Sequence, residues 1–174
     1  LPTTISEITI PNVTNQPVIS SAVTISKLTI DASADITVSS NSLTVSGAID
    51  NNGTLNIGNG AVNANDTFDG TSGTIDMTDA NANLVIRSTV TSFGTLDAAE
   101  GTVTYGGGSQ NVVVATYNNL SISSTGIKTA LGNLAVNGNL TTAATSGCRL
   151  DMGANQLNVA GNLTVGAQNG LDLT

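Results

Sequence analysis

The sequence predicts an all-β protein that folds as a right-handed parallel β-helix (β-solenoid) of about eight coils. The segments Leu134–Thr141 and Leu157–Thr164 match almost residue for residue and start 23 residues apart. A third copy, Leu43–Ile49, keeps the apolar positions and the glycine. Self-similarity at a spacing of roughly 20–50 residues is typical of solenoids, and alternation of apolar with small polar residues indicates strands. Residues 1–174 are therefore predicted to form a single solenoid domain.

The first strands are predicted from short apolar–polar–apolar triplets. Successive side chains of a strand point to opposite faces, so both apolar residues of a triplet face the core. Turn-forming Asp, Asn and Gly separate the triplets, which favours many short strands. The triplets of the first coils are Ile8–Ile10, Val23–Ile25, Leu28–Ile30, Ile36–Val38 and Leu43–Val45.

The N-terminal segment, residues 1–20, is expected to differ from the coils that follow it. It contains all three prolines of the chain, Pro2, Pro11 and Pro17. Proline cannot donate to a sheet ladder and is confined to strand edges and strand starts. We therefore expect an N-terminal cap or a docking strand here.

Corners of the central coils are predicted at Gly53, Gly73 and Gly94, each of which is followed by Thr and an aliphatic residue. Glycine at a corner permits a tight change of direction. The near-constant offset favours a coil in which like residues stack on like residues. Residues 61–72 are rich in Asn and Asp, and we expect them to leave the coil as a loop.

An antiparallel β-sandwich is the alternative fold. Asn-Gly dipeptides typically form the tight turns of hairpins, and the chain contains them at 52–53, 137–138 and 169–170. The repeat offset favours the parallel coil over this alternative.

Within the coil, the two matching C-terminal segments are predicted to stack, with Leu134 on Leu157. Their inward-facing residues are predicted to be Leu134, Val136, Leu140, Leu157, Val159 and Leu163.

Composition excludes several classes of function. Only four residues are Lys or Arg and the net charge is −8, whereas nucleic-acid binding requires clustered basic residues. No apolar run approaches the ~20 residues that span a bilayer. Nucleic-acid partners and membrane insertion are therefore not expected. With 39% hydrophobic but 2% aromatic residues, the chain suits a narrow aliphatic core.

Catalysis is not expected either. The chain has no histidine, its basic residues are far apart in sequence, and no nucleophile is paired with a base. The single cysteine, Cys148, has no disulfide partner within the chain and is predicted to be buried.

The candidate site residues are four aspartates, Asp66, Asp69, Asp76 and Asp79, which fall within 14 residues. Calcium binds several oxygen ligands from carboxylates, amides and backbone carbonyls, so these residues are candidate calcium ligands. The alternative is that each is a solvated corner residue. No other cofactor is expected.

A further set of motifs comprises Tyr105–Gln110, Tyr117–Ile122, Gly126–Thr129 and Leu134–Leu140. In their order and content they resemble the repeat regions of large secreted surface proteins of Bacteroidetes and related bacteria. The resemblance implies a β-solenoid at the cell surface or secreted beyond it, and it implies no catalytic residues.

We therefore expect a non-enzymatic extracellular solenoid with a structural or adhesive role. It is either a segment of a cell-surface adhesin or stalk, or a subunit that stacks end to end into a fibre. The expected partners are another copy of the chain or a continuation of it, together with surface glycans. The alternatives are a carbohydrate-binding module attached to a secreted enzyme and an ice-binding solenoid.

Overall fold

Short strands follow one another throughout the described chain. The computed structural model describes residues 6–166 and 169–174, and within these ranges it contains no α-helix and no segment that could cross a bilayer as a helix. The strands of the first five coils are β1 (Glu7–Ile10), β2 (Val18–Ile19), β3 (Val23–Ile25), β4 (Lys27–Ile30), β5 (Asp35–Val38), β6 (Ser42–Val45), β7 (Ile49–Asn51), β8 (Thr54–Ile57), β9 (Ala61–Ala64), β10 (Phe68–Asp69), β11 (Thr74–Asp76), β12 (Asn83–Ile86), β13 (Val90–Ser92), β14 (Thr95–Asp97) and β15 (Thr102–Tyr105).

The later coils continue in the same way with shorter corners. Their strands are β16 (Gln110–Val112), β17 (Thr116–Tyr117), β18 (Asn119–Ile122), β19 (Gly126–Ala130), β20 (Leu134–Val136), β21 (Leu140–Thr142), β22 (Cys148–Asp151), β23 (Leu157–Val159), β24 (Leu163–Val165) and β25 (Leu171–Asp172).

Every third strand lies on the same face of a three-sided coil. The first face starts with β1, β4, β7, β10 and β13, the second with β2, β5, β8, β11 and β14, and the third holds eight strands from β3 to β24. Beyond β15 the first face continues as β16, β19, β22 and β25, and the second as β17, β20 and β23, each as a separate sheet.

The strand pairs of the described residues are all parallel. Consecutive strands turn onto a new face instead of folding back on each other. This confirms the parallel solenoid with its eight-stranded third face and contradicts the antiparallel sandwich.

The strand registers confirm the repeats found in the sequence. Leu134 pairs with Leu157, so the two matching segments lie one on the other. In the central coils Thr74 lies between Thr54 and Thr95. The Gly-Thr-aliphatic repeats therefore stack as predicted.

The core is a narrow column of aliphatic side chains. On the first face Leu28, Ile49 and Phe68 stack through consecutive coils and are buried. Each layer is covered by the layers above and below it, so no coil is stable alone. Outward positions carry mainly small polar residues. On the third face this outward column is Thr24, Thr44, Asn63, Val85, Thr104, Ser121, Thr141 and Thr164.

The predicted loop over residues 61–72 is wrong, because this segment contains β9 and β10. Val62 and Ala64 of β9 point inward and are buried, while Ala61 and Asn63 lie outside. Alanine is small enough to hide the alternation, and Asn63 is tolerated because its amide faces solvent.

The N-terminal segment forms a coil in register with those that follow. β1 pairs with β4 and β2 with β5, and the Gln16 side chain bonds the Val13 carbonyl in the turn between them at 2.8 Å. Residues 6–20 thus lie over the second coil, while residues 1–5 of the predicted cap are outside the described residues.

The corner glycines serve two purposes. Gly94 has a positive φ of 64°, and a Cβ there would overlap the carbonyl oxygen of Gly70 in the coil below. Gly53 and Gly73 have ordinary φ angles, and it is the close approach of neighbouring backbone that excludes a side chain there. Only Gly94 therefore needs the left-handed conformation.

The inward residues of the two matching segments differ in burial. Leu134, Val136 and Leu140 are at most 2% exposed, and Leu157 and Val159 are half-buried against the core. Leu163 occupies the ladder position of Leu140 but is 47% exposed. The predicted register is right, but Leu163 is not buried, because no described strand covers β24.

Candidate functional site

The solenoid narrows in its middle. Val103 of β15 pairs with Leu120 of β18, so this circuit takes 17 residues, whereas the circuit from Leu84 takes 19 and the circuit to Leu140 takes 20. Two to three residues fewer remove about 7–10 Å of strand perimeter. We call the circuit Val103–Leu120 the waist.

Two of the three faces are interrupted at the waist. β13 and β14 end their sheets, β16 and β17 begin new ones, and only the third face is continuous. The short circuit cannot follow the wider coil before it around all three faces, so its ladder bonds are kept on one face and lost on two. A groove opens on the first face beside β16. A second groove, bordered by the exposed side chains of Val114 and Leu131, opens beside β17.

The four aromatic residues of the chain all lie beside the waist. The rings of Phe68 and Phe93 meet edge to face at 5.8 Å, and those of Phe93 and Tyr117 at 6.4 Å. The hydroxyls of Tyr105 and Tyr117 are 3.1 Å apart. All four side chains are buried. We attribute this placement to volume, because large rings fill the space between coils of unequal perimeter.

The two tyrosine hydroxyls replace the missing ladder bonds of Val113, which lies between β16 and β17. Its N–H donates to the Tyr105 hydroxyl at 3.2 Å, and its carbonyl accepts from the Tyr117 hydroxyl at 2.6 Å. Burial raises the pKa of Tyr105 to about 12. Burial, followed by the neighbouring Tyr105, raises the pKa of Tyr117 as well. Both phenols are therefore neutral at ordinary pH and available as hydrogen-bonding groups.

Gln110 is a buried amide that joins two turns at the first-face groove. Its Oε1 accepts from the Gly107 N–H at 2.8 Å, and its Nε2 donates to the carbonyls of Ser88 at 2.7 Å and Ile86 at 3.3 Å. The Gly106–Gly108 turn is therefore tied to the chain that leaves β12.

Lys128 stacks directly on Gln110 in the ladder, and its side chain has no solvent exposure. Its Nζ donates to the carbonyls of Thr125 at 2.8 Å, Gly107 at 3.0 Å and Ser124 at 3.3 Å. Burial lowers the pKa of Lys128, since removal from water disfavours the charged form.

The turn before β19 is shaped for this ammonium. Ser124 and Gly126 have positive φ angles of 64° and 91°, which turn consecutive carbonyls toward one point. Within the described chain the Lys128 ammonium bonds carbonyl oxygens and no carboxylate.

The groove on the first face has a volume of about 540 Å³ and a mixed polar lining. Arg87 is exposed at its border, and the described residues provide it with neither an ion pair nor a side-chain hydrogen bond. Ile127 contributes an apolar side chain that is 39% exposed. We call this the waist groove and define it by Arg87, Ser88, Ser109, Asn111, Ile127 and Thr129.

A second guanidinium lies further along the same face but is already paired. Arg149 bonds Asp151 at 3.3 Å and Asp172 at 3.2 Å, so its charge is balanced by two carboxylates of neighbouring rungs. The Thr174 hydroxyl and N–H, with a smaller contribution from Arg149, lower the pKa of Asp172.

The four predicted calcium ligands are spread over the coil. Asp69 lies in β10 on the first face and Asp76 ends β11 on the second, while Asp66 and Asp79 lie in turns. Within residues 6–166 and 169–174, no three carboxylate, thiol or imidazole groups come together as a metal site.

Two of these aspartates bind their own turns. The Asp69 carboxylate accepts from the Thr71 N–H at 3.0 Å and the Thr71 hydroxyl at 2.7 Å, and Asp79 accepts from the Asn81 N–H at 2.8 Å. The hydroxyl bond of Thr71, followed by its N–H bond, lowers the pKa of Asp69. Calcium binding at these residues stays a prediction.

Cys148 is buried and free, as predicted. Its thiol faces the Ile122 carbonyl at 3.5 Å.

Comparison with known proteins finds no matching family model, no matching curated protein and no matching solved structure. The solenoid architecture expected from the resemblance is present, and its relationship to Bacteroidetes surface proteins has no support from these comparisons.

Sequence reasoning missed Arg87, Gln110 and Lys128 as site residues. A signal for Lys128 was present, because strict alternation in Gly126–Ala130 places Lys128 and Ala130 on the same, inward side. The signal for Gln110 is the glycine run before it, which interrupts the strand pattern. Nothing in the sequence marks Arg87.

Proposed function

We propose that this chain is a non-enzymatic structural and adhesive rod outside the cell, to which further coils add end to end. The observation that carries the proposal is the contrast between Leu140 and Leu163, which occupy the same ladder position in successive coils. Leu140 is buried, while Leu163 is 47% exposed and its neighbour Val165 is 44% exposed. A further coil over β24 would bury both side chains and pair the open strand edge.

Two sources of that coil define two versions of the rod. If the chain continues, the solenoid is a segment of a longer stalk or adhesin. If a second copy docks, the contact is heterologous and generates a filament unless it closes. The opposite end of the described coils also exposes aliphatic residues, Val13 at 48% and Val18 at 60%, which gives a second copy a complementary apolar surface.

The shape and surface support a structural role. Eight strands at about 4.8 Å spacing give a rod of roughly 40 Å per chain, and its outward residues are mostly small and polar. With 9% charged residues, little long-range repulsion opposes stacking. The lack of histidine in the sequence supports a non-enzymatic role, and the resemblance to secreted repeat regions supports a location outside the cell.

The surface favours carbohydrate binding over ice binding as the second function. Ice binding requires a regular array of threonines, and Asn63 and Val85 interrupt the outward column of the third face. The waist groove, in contrast, offers polar and apolar groups in one concavity.

Sedimentation velocity over a concentration series tests the rod. We expect the wild type to form larger species as its concentration rises, and Leu163→Asp to remain monomeric because the charge blocks the apolar contact. Thr164→Asp adds the same charge on the outward side of the strand and should behave as the wild type. A wild-type chain that stays monomeric contradicts the fibre version.

The stalk version and the location are tested on cells. An antibody against the chain should label intact cells of the source organism as strongly as lysed cells. Labelling that appears only after lysis contradicts an extracellular role.

A further inference from the structure

We propose that the waist groove binds an acidic saccharide, an oligosaccharide with an isolated carboxylate, and that Arg87 pairs with that carboxylate. This deepens the adhesive part of the proposed function and rests on it. The argument uses the free charge of Arg87, the polar and apolar groups opposite it, and the buried side chains that hold the groove in shape.

Arg87 is the cation that the groove leaves available. Of the other three basic residues, Lys128 is buried among carbonyl oxygens, Arg149 is bonded to two carboxylates, and Lys27 lies on β4, far from the waist. A guanidinium presents a planar fork of donors that matches a carboxylate in two parallel hydrogen bonds.

The rest of the groove suits a sugar ring. Asn111 and Thr129 are exposed ladder neighbours on its floor, and Ser88 and Ser109 add hydroxyl groups at its border. These groups can donate to and accept from sugar hydroxyls. The exposed Ile127 side chain gives the C–H side of a pyranose an apolar contact.

The groove is held in shape by two buried polar side chains. Gln110 bonds Ser88 on one side and Gly107 on the other, and Lys128 bonds Gly107 from the next coil. Burial of an amide and an ammonium is costly unless their bonds are made, and here those bonds fix the two turns that border the groove. A groove ordered in advance loses less conformational entropy when a ligand binds.

The overall charge limits the ligand. A net charge of −8 repels dense polyanions. Screening over about 8 Å at physiological ionic strength allows Arg87 to attract a single nearby carboxylate. This argues for isolated carboxylates, such as uronic acid residues among neutral sugars.

Backbone amide NMR with two matched disaccharides tests the inference. Cellobiouronic acid and cellobiose differ in one carboxylate, so their difference in affinity isolates the contact with Arg87. We expect shifts to concentrate at residues 87–89, 109–111 and 127–129, with tighter binding of the acid. Arg87→Gln should weaken acid binding about tenfold and remove its advantage over cellobiose. Lys27→Gln removes the same charge elsewhere and should leave both affinities unchanged.

Several results would overturn the inference. These are equal affinity for both sugars, equal losses in Arg87→Gln and Lys27→Gln, shifts spread along the rod, and absence of binding. The rod proposal fails separately, through the sedimentation and cell-labelling results. A chain that assembles but binds neither sugar refutes the groove and leaves the rod standing.

Discussion

Lys128 lies directly on Gln110 in the first-face ladder, and the two side chains hold Gly107 from both sides. The Gly107 N–H donates to Gln110 Oε1 at 2.8 Å, and the Gly107 carbonyl accepts from Lys128 Nζ at 3.0 Å. A flexible glycine turn is thereby fixed by two polar groups of the core. The arrangement makes Lys128 a structural residue, although lysine is among the residues least often buried.

Replacing Lys128 with Met should lower the free energy of unfolding by about 2 kcal/mol, because several buried carbonyls lose their donor. Chemical denaturation measures this loss. Lys27→Met, at an exposed position on β4, is the matched control and should change stability little. Amine acetylation followed by mass spectrometry gives a second readout, since Lys27 should react in the folded chain while Lys128 is protected. Equal reaction rates of the two lysines would contradict the burial of Lys128.

The stack of Leu134 on Leu157 makes a graded prediction. Leu134→Asp places a carboxylate in the core and should destabilise the chain by about 4 kcal/mol, whereas Leu157→Asp, at a half-buried position, should cost about half as much. Asn158→Asp adds the same charge at an exposed neighbour and should have little effect. Thermal unfolding measures the three variants. If Leu157→Asp and Asn158→Asp melt at the same temperature, the register is wrong.

Gly94 should tolerate no side chain. Its φ of 64° and its contact with the Gly70 carbonyl oxygen predict a loss of about 2 kcal/mol or more for Gly94→Ala. Gly108→Ala is the control, because a Cβ at Gly108 meets nothing within 4 Å. The midpoints of denaturant unfolding should separate the two variants, and coincident midpoints would contradict the close packing of this corner.

The parts of the fold that repeat were predictable from sequence, and the parts that break the repeat were not. Leu134 and Leu157 share a motif, so their stacking followed from spacing alone. The waist has no such signature, because Val103 and Leu120 are paired across a circuit shorter than its neighbours. A missing two or three residues shift the register without changing the type of residue at either position.

The candidate site was harder to predict for the same reason. Gln110 and Lys128 are different residue types brought together by the ladder, so no internal repeat links them. Asp66 and Asp79 are close in sequence, which suggested a shared site. A coil turns the chain onto a new face every few residues, and neighbours in sequence are therefore separated in space, as the placement of these two in different turns shows.

Calcium binding near Asp66–Asp79 is predicted to be weak at most. Asp69 and Asp79 already accept hydrogen bonds from their own turns, so a cation would compete with those bonds. Titration calorimetry after chelator treatment, with melting curves in calcium and in magnesium, measures this. No heat and no change in melting temperature would remove the site, whereas a large calcium-specific rise would show that the carboxylates converge in solution.

The tyrosine pair predicts a loss of stability at alkaline pH. Tyr105 has its pKa raised from 10.0 to about 12 by burial, so its contribution is complete below pH 10 and is lost as the pH rises toward 12. In that window the unfolded chain releases a proton that the folded chain retains, and the free energy of unfolding falls by on the order of 2–3 kcal/mol. Lys128 acts in the opposite direction, because its pKa is lowered and stability rises as the pH passes its folded-state pKa.

Comparison of the wild type with Tyr105→Phe separates the two effects, because both chains keep Lys128. At neutral pH the variant should be less stable by about 1–2 kcal/mol, since the Val113 N–H loses the hydroxyl that accepts from it. Denaturant unfolding at a series of pH values should show this difference shrinking between pH 10 and 12, because only the wild type then loses the contribution of Tyr105. Parallel stability curves over that range would mean that Tyr105 titrates in the folded chain as it does in water.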